Sequence, residues 1–67
     1  MSVYKVIELV GTSEESWEDA AKKAIRMARK SLRELRVAEI TKMDVRLDDG
    51  EIVEYRVRVN VSFKYED

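Results

Sequence analysis

The ionisable side chains of this sequence are mainly carboxylates and basic groups, because the chain contains no histidine and no cysteine. The usual zinc ligands, a thiol nucleophile and disulfides are therefore absent. No hydroxyl is paired with an evident general base, and the carboxylates fall where the hydrophobic periodicity predicts exposed faces. We expect a binding or assembly protein that is not an enzyme.

One group of acidic residues has a spacing that suits a metal ion. Asp48, Asp49 and Glu51 surround Gly50, where the sequence predicts a turn. Carboxylate oxygens are the ligands that a hard cation such as calcium prefers, although the spacing is not that of an EF-hand loop. Solvated turn carboxylates are the more common occurrence, and a calcium site is the alternative hypothesis.

Two other features could bind anions, and each has a simpler explanation. Gly11-Thr12-Ser13 precedes a predicted helix, whose N-terminal amides attract anions, but the glycines and lysine of a phosphate loop are missing. The same helix has a basic face, which an RNA- or protein-interaction module would use. The net charge of −1, from 13 basic and 14 acidic residues, argues against nucleic acid. We expect an ordinary helix cap and a face that is solvated or contacts another subunit.

The elements that carry these residues begin with a strand and a helix. Residues 3–10 are rich in β-branched types with apolar side chains on both faces, which predicts a strand buried on two sides and ended by the following glycine. Thr12 and Glu15 have the spacing of a capping box. From there to about Leu35, apolar residues recur at helical spacing, beginning with Trp17, which we assign to the core.

Two further strands follow the helix. The alternation of residues 37–47 changes phase, and a bulge or bend near Thr41-Lys42 reconciles its two halves. A hairpin turn at 48–50 leads into residues 53–65, where apolar and polar side chains alternate strictly. The polar side of this last strand carries three basic residues, Arg56, Arg58 and Lys64. We expect them at an interface or on an internal surface of an assembly.

The order of elements predicts an α+β fold of β-α-β-β type, in which a three-stranded antiparallel sheet with a central third strand packs on one long helix. Residues 1–67 form one domain. So small a domain needs further stabilisation, and both outer strands are unpaired edges, so we expect self-association. No apolar segment approaches the roughly 18 residues of a membrane span, and signal-peptide features are missing. We therefore expect a cytoplasmic protein without membrane contact.

The segments KVIELVGTS, LRVAEI and EYRVRVNVSFK together resemble the dodecins over nearly the whole chain. The resemblance implies a β-α-β-β subunit whose sheet partly wraps the helix, and a hollow homododecamer of cubic symmetry. It also implies that the protein binds and stores a flavin such as riboflavin or FMN, and some dodecins bind coenzyme A. Catalysis is not implied.

The resemblance also implies a ligand site on the last two strands. Dodecins that bind flavin carry a stacking tryptophan at the position of Val37, and Arg36 is its neighbour here. A glutamine that hydrogen-bonds the flavin ring matches Arg56, a basic residue near the chain end matches Lys64, and a second basic position aligns with Asp44. Because each lost stacking contact is worth about 1–3 kcal/mol, flavin binding in the usual mode is weakened.

The combination of SVYKVI, SWE and RVA is most similar to the calcium dodecins, a subgroup that also lacks the stacking tryptophan. This similarity implies a homododecamer that binds a divalent cation such as calcium, with riboflavin or FMN as the alternative ligand. The similarity does not map the cation ligands. Asp48, Asp49 and Glu51 are therefore the metal candidates on carboxylate clustering alone.

Overall fold

The structure, a computed structural model, describes residues 2–66. It contains strand β1 (Val3–Ser13), helix α1 (Trp17–Ser31), strand β2 (Leu35–Asp48) and strand β3 (Glu51–Glu66). The sheet order is β1-β3-β2 and both pairings are antiparallel, which confirms the predicted β-α-β-β fold with a central third strand. The predicted domain also includes Met1 and Asp67, which lie outside the described residues. No helix of the described part is long and apolar enough to cross a membrane.

Gly11 does not end the first strand, so that prediction was wrong. β1 continues to Ser13, and Gly11 pairs with Val57 of the central strand. The glycine is needed because α1 lies directly above it. A Cβ at this position would overlap the backbone carbonyl oxygen of Ala20 and lie 3.1 Å from the Cβ of Ala24. Gly11 therefore allows a close approach of helix and strand rather than a chain reversal.

The helix begins later than predicted, and the prediction of a capping box at Thr12 and Glu15 was wrong. Ser16 caps the helix, and its hydroxyl accepts a hydrogen bond from the Asp19 amide at 3.0 Å. The buried Ser13 hydroxyl accepts hydrogen bonds from the amides of Glu15 and Ser16, at 2.9 and 3.4 Å. It also donates to the Asp19 carboxylate at 2.7 Å, which holds the pKa of Asp19 below its ordinary value.

The helix also ends earlier than the predicted limit near Leu35. α1 ends at Ser31, and the extended residue Leu32 (φ −116°) donates its N–H to the Ala28 carbonyl at 2.9 Å. Glu34 then adopts a left-handed conformation (φ 51°), a position that glycine or asparagine usually occupies. The chain therefore turns from helix to strand without the glycine or proline that would have marked the boundary in the sequence.

The predicted irregularities of the second half are present. The register between β2 and β3 shifts between Ile40 and Lys42, which confirms the bulge. Asp49 and Gly50 have positive φ angles of 52° and 77° and form a two-residue turn, which confirms the hairpin. The bulge lets the even-numbered Ala38 and Ile40 lie on the same side of the sheet as the odd-numbered Met43 and Val45.

The core of a single chain is thin. Its buried apolar residues are three alanines of the helix and three valines of the central strand: Ala20, Ala24, Ala28, Val57, Val59 and Val61. Helix α1 lies over β1 and β3 and leaves most of β2 open. Val6 and Val10 of β1 are 58% and 56% exposed, so the burial of β1 on both faces is not found within one chain.

Replacing Gly11 with alanine tests the close contact of helix and strand. We expect Gly11→Ala to lower the free energy of unfolding by about 1–3 kcal/mol, because the added methyl group overlaps the Ala20 carbonyl. Gly50→Asn is the matched control, since a Cβ at Gly50 meets nothing within 4 Å and asparagine tolerates a positive φ. Urea unfolding at equal protein concentrations measures both variants. A Gly11→Ala protein as stable as the control would contradict the contact.

Candidate functional site

The outer face of the sheet, turned away from α1, brings an acidic and a basic side chain together. Asp44 of β2 lies directly opposite Arg56 of β3. The guanidinium donates two hydrogen bonds to the carboxylate, from Nε to Oδ1 at 2.7 Å and from Nη2 to Oδ2 at 3.0 Å. A bidentate pair of this kind fixes the orientation of both groups. The structure therefore places two of the predicted ligand residues in direct contact.

A shallow cavity of about 100 Å³ lies beside this ion pair. It is lined by Val10, Lys42, Asp44, Arg56, Val57 and Arg58. Arg58 also forms an ion pair with Glu8 on the far side of β3, with Nη1 and Oε1 3.5 Å apart. Three basic groups face two carboxylates, those of Asp44 and Glu8, so an excess of one positive charge remains around the cavity, which suits an anionic group better than a cation.

The ion pair changes the acid–base properties of both partners. Hydrogen bonds from Arg56 lower the pKa of the Asp44 carboxyl, and the charges of Arg58 and Lys42 act in the same direction. The Asp44 carboxylate in turn raises the pKa of Arg56. The Asp44 carboxyl is therefore ionised at neutral pH, and it accepts hydrogen bonds from Nε and Nη2 of the Arg56 guanidinium. A ligand that hydrogen-bonds the Arg56 guanidinium must either bind beside the Asp44 carboxylate or displace it.

Trp17 supports this site from the helix side of the sheet, a role that its place in the apolar stripe did not predict. Its indole N–H donates to the backbone carbonyl oxygen of Asp44 at 2.9 Å. Its ring packs edge-on against Tyr55, with the centroids 5.0 Å apart and an interplanar angle of 76°. Trp17 is partly buried and packs against the core, so its assignment to the core is confirmed in part. The sequence contained one indication of this role, because the indole N–H of a buried tryptophan usually requires a hydrogen-bond acceptor.

The remaining predicted ligand residues lie near the start of β2. Val37, opposite Ser62, is 62% exposed, and its amide donates to the Ser62 hydroxyl at 3.2 Å. Arg36 forms an ion pair with Glu34, with Nη2 and Oε1 3.3 Å apart. The backbone amide of Lys64 donates to the Glu34 carbonyl at 3.3 Å, so Lys64 also lies near the start of β2.

The five predicted ligand residues thus form two separate groups in one chain. Arg56 and Ser62, the partners of Asp44 and Val37, are six residues apart on β3, which corresponds to about 20 Å along a strand. A small ligand cannot contact both groups of a single chain. A site that uses both requires residues from a second copy.

The three metal candidates lie at the exposed tip of the β2–β3 hairpin. Asp48 and Glu51 are cross-strand partners, and Asp49 is in the turn between them. Among residues 2–66, no group of three or more acidic side chains is close enough together to hold a metal ion. Because calcium takes about six to eight oxygen ligands, one hairpin tip does not supply a complete site.

The β-α-β-β order with a three-stranded antiparallel sheet places this chain in a class of small α+β proteins. The model of one such family, the dodecins, matches residues 3–66, and the chain belongs to this family. Dodecins are non-enzymatic ligand-binding proteins whose members form oligomers. The prediction that the protein is not an enzyme is therefore confirmed through its family.

Two relatives and one solved structure are similar over nearly the whole chain. Calcium dodecin from Mycobacterium tuberculosis is 47% identical over 64 residues, which cover 96% of this chain and 90% of that protein. Dodecin from Thermus thermophilus is 42% identical over 65 residues, which cover 97% and 94%. The crystal structure of the M. tuberculosis calcium dodecin, described as having a novel calcium-binding site, matches with a TM-score of 0.87 at 45% identity and covers 97% of this chain and 93% of that chain. The resemblance to the calcium dodecins is therefore confirmed.

The lowered pKa of Asp44 makes the ion pair dependent on pH. Its contribution to stability is fully present above the ordinary aspartate pKa of about 3.9 and is lost as the pH falls through the lowered pKa. We expect a carbon NMR titration of the Asp44 carboxyl to have its midpoint below the ordinary value. Arg56→Gln should raise this midpoint, because the variant removes the charged donor. A midpoint that does not respond to Arg56→Gln would show that the pair is not formed in solution.

Proposed function

We propose that this chain is the cytoplasmic subunit of a hollow homododecamer that binds and sequesters a divalent cation such as calcium, without catalysis. The thin core is the observation that carries this proposal. In residues 2–66, six apolar residues are buried, while eleven large apolar side chains are exposed. The exposed set comprises Val3, Tyr4, Val6, Val10, Met27, Val37, Ile40, Met43, Leu47, Ile52 and Tyr65. Surface of this extent is typical of an interaction site.

The dimensions of the single chain also support an assembly. Its accessible surface is 5217 Å², whereas a compact monomer of its mass exposes about 4,400 Å². Its radius of gyration is 13.7 Å, whereas a globular domain of its length has about 11 Å. The edge strands β1 and β2 have unpaired backbone groups along one side. A closed shell covers the apolar surface and shields the strand edges together.

The M. tuberculosis relative supports calcium as the ligand, because that protein is described as a calcium dodecin with a calcium-binding site. In this chain we assign the cation to the hairpin tip, at Asp48, Asp49 and Glu51. One chain does not gather three carboxylates, so carboxylates of a neighbouring copy, backbone carbonyls or water must complete the coordination. The proposed cation site therefore depends on assembly.

Native mass spectrometry of the purified protein tests assembly and ligand together. We expect a dodecamer that takes up calcium after treatment with EDTA, measured by titration calorimetry. Asp48→Asn, Asp49→Asn and Glu51→Gln combined should weaken calcium binding by roughly tenfold or more, because calcium affinity follows ligand charge.

Glu14→Gln with Glu15→Gln is the matched control, since these exposed carboxylates precede the helix and belong to no proposed site. Only monomers or dimers in dilute buffer would contradict the assembly. Equal calcium affinities of the hairpin variant and the control would contradict the assignment of the cation to the hairpin.

A flavin is the second candidate ligand, and the electropositive cavity beside Asp44 and Arg56 is the observation that favours it. The phosphate of FMN could use the basic groups of this cavity, whereas riboflavin has no phosphate. The exposed Val37 offers no stacking surface for the flavin ring. FMN is therefore the better flavin candidate for this chain.

Quenching of flavin fluorescence tests this alternative. We expect Val37→Trp to strengthen FMN binding by roughly tenfold or more, because one stacking contact is worth about 1–3 kcal/mol. Val37→Leu is the matched control, since it adds apolar volume without an aromatic ring. A wild-type protein that is purified without a flavin absorption band and does not quench added FMN would remove flavin as a candidate.

A further inference from the structure

The cavity on the outer face of the sheet contains an anion of its own, the Asp44 carboxylate. Lys42, Arg56 and Arg58 supply three positive charges. The carboxylates of Asp44 and Glu8 supply two negative charges. Asp44 accepts two hydrogen bonds from the Arg56 guanidinium, at 2.7 and 3.0 Å. A phosphate group binds a guanidinium through the same pair of donors, so Asp44 occupies the position that an external oxyanion would take on Arg56.

An exposed ion pair does not by itself keep a carboxylate in one place. The side chains of Arg56 and Asp44 are 44% and 49% exposed, so water and salt screen their attraction and a dissolved anion can compete for the guanidinium. The pairing of the strands adds little restraint here. The register between β2 and β3 shifts on both sides of residues 42–46, and each shift disrupts the ladder of backbone hydrogen bonds locally. A further contact is needed to hold Asp44 against Arg56.

Trp17 supplies this contact from the helix side of the sheet. Its indole N–H donates to the backbone carbonyl oxygen of Asp44 at 2.9 Å. Its ring packs edge-on against Tyr55, the residue before Arg56, with the centroids 5.0 Å apart. Trp17 is the first residue of α1, directly after the hydrogen-bonded cap at Ser16. One indole therefore contacts both strands beside the ion pair and fixes the backbone from which the Asp44 carboxylate projects.

We infer that Asp44 is an internal counter-ion, positioned by Trp17, that competes with external oxyanions for Arg56 and so limits the affinity of the outer-face cavity for phosphate groups. Asp44 is then a specificity-determining residue, and Trp17 is a positioning residue that acts through it. An uncharged residue at position 44 would leave three positive charges facing one carboxylate and would free both Arg56 donors. The inference concerns this cavity alone and does not depend on the cation site at the hairpin or on the number of copies.

Asp44→Asn tests the counter-ion, because it removes the charge and keeps the backbone carbonyl that Trp17 contacts. We expect the variant to bind inorganic phosphate roughly tenfold more tightly than the wild-type protein, since the phosphate no longer competes with a carboxylate for a charge-assisted bidentate contact. A phosphate titration at constant pH and ionic strength in calcium-free buffer, followed through the Nε–Hε NMR signal of Arg56, measures the affinity.

Glu39→Gln is the matched control for Asp44→Asn. It removes one negative charge from the same strand, but Glu39 lies opposite Asn60 and outside the ion pair. The distance along the strand is about 17 Å, beyond the Debye length of about 8 Å at physiological ionic strength. The phosphate affinity of this variant should therefore stay within about twofold of the wild-type value.

Replacement of Trp17 with 3-benzothienylalanine tests the positioning role, since sulfur takes the place of the indole N–H in a ring of similar size. We expect phosphate affinity to rise by roughly two- to fivefold, which is the range that the loss of one hydrogen bond to Asp44 allows. In a chain that also carries Asp44→Asn, the same replacement should leave phosphate affinity unchanged, because no counter-ion remains to be positioned. Trp17→Phe repeats the comparison with a natural side chain, and circular dichroism checks that each variant is folded.

The outcomes separate this inference from the proposed function. Equal phosphate affinities of Asp44→Asn and Glu39→Gln would overturn the counter-ion. A Trp17 replacement that changes phosphate affinity equally with and without Asp44 would show a purely structural role and overturn the positioning. A calcium-binding dodecamer whose phosphate affinity does not respond to Asp44→Asn would overturn the inference and leave the proposed function standing. A protein that neither assembles nor takes up calcium, but gains phosphate affinity with Asp44→Asn alone, would support the inference while the proposed function is lost.

Discussion

The rest of the structure depends on the close contact of α1 with β1 and with the central strand β3. The helix approaches the sheet through alanines, and at Gly11 of β1 there is no side chain to hold the helix away. Close packing of this kind is efficient per atom but buries little apolar area, since the facing residues are among the smallest. The helix is also short, about 22 Å, in a chain 51 Å long. The helix therefore leaves both ends of the sheet and most of β2 uncovered within one chain.

The beginning of the helix determines the geometry of the outer face as well. The Ser13 and Ser16 hydroxyls hydrogen-bond the amides at the start of the helix. Trp17 lies in the first helical turn, and its indole N–H donates to the carbonyl oxygen of Asp44 in β2. The side chain of Asp44 then meets Arg56 on the opposite face. A hydrogen-bonded path thus connects the helix cap to the ionic cavity. On the β2 side of the cavity, both the backbone carbonyl and the carboxylate of Asp44 are therefore hydrogen-bonded.

Sequence patterns predicted the parts of this fold that follow a simple period. The strict alternation of residues 53–65 identified the central strand, and the change of phase in β2 identified its bulge. The turn at Glu34 escaped prediction because glutamate, unlike glycine or asparagine, does not indicate a left-handed conformation in a sequence. The pairing of Asp44 with Arg56 escaped it for a related reason. A regular register from the hairpin turn would place Asp44 opposite Tyr55, and a second shift, between Arg46 and Leu47, moves it by one residue.

The distribution of charge connects the thin core to ligand binding. The chain is nearly neutral, yet its negative charge lies mainly in residues 14–19 and in the β2–β3 hairpin, residues 46–54, whereas residues 22–36 are mainly basic. A near-neutral chain with separated charges favours specific contact with its own copies over the diffuse attraction that binds nucleic acid. The ligand groups are likewise incomplete in one chain, because Val37 and Asp44 are far apart and the hairpin acids do not converge. Any ligand that needs several of these groups at once can be bound only where copies meet. In the proposed assembly, contacts between copies would supply both the apolar burial and the ligand atoms that one chain lacks.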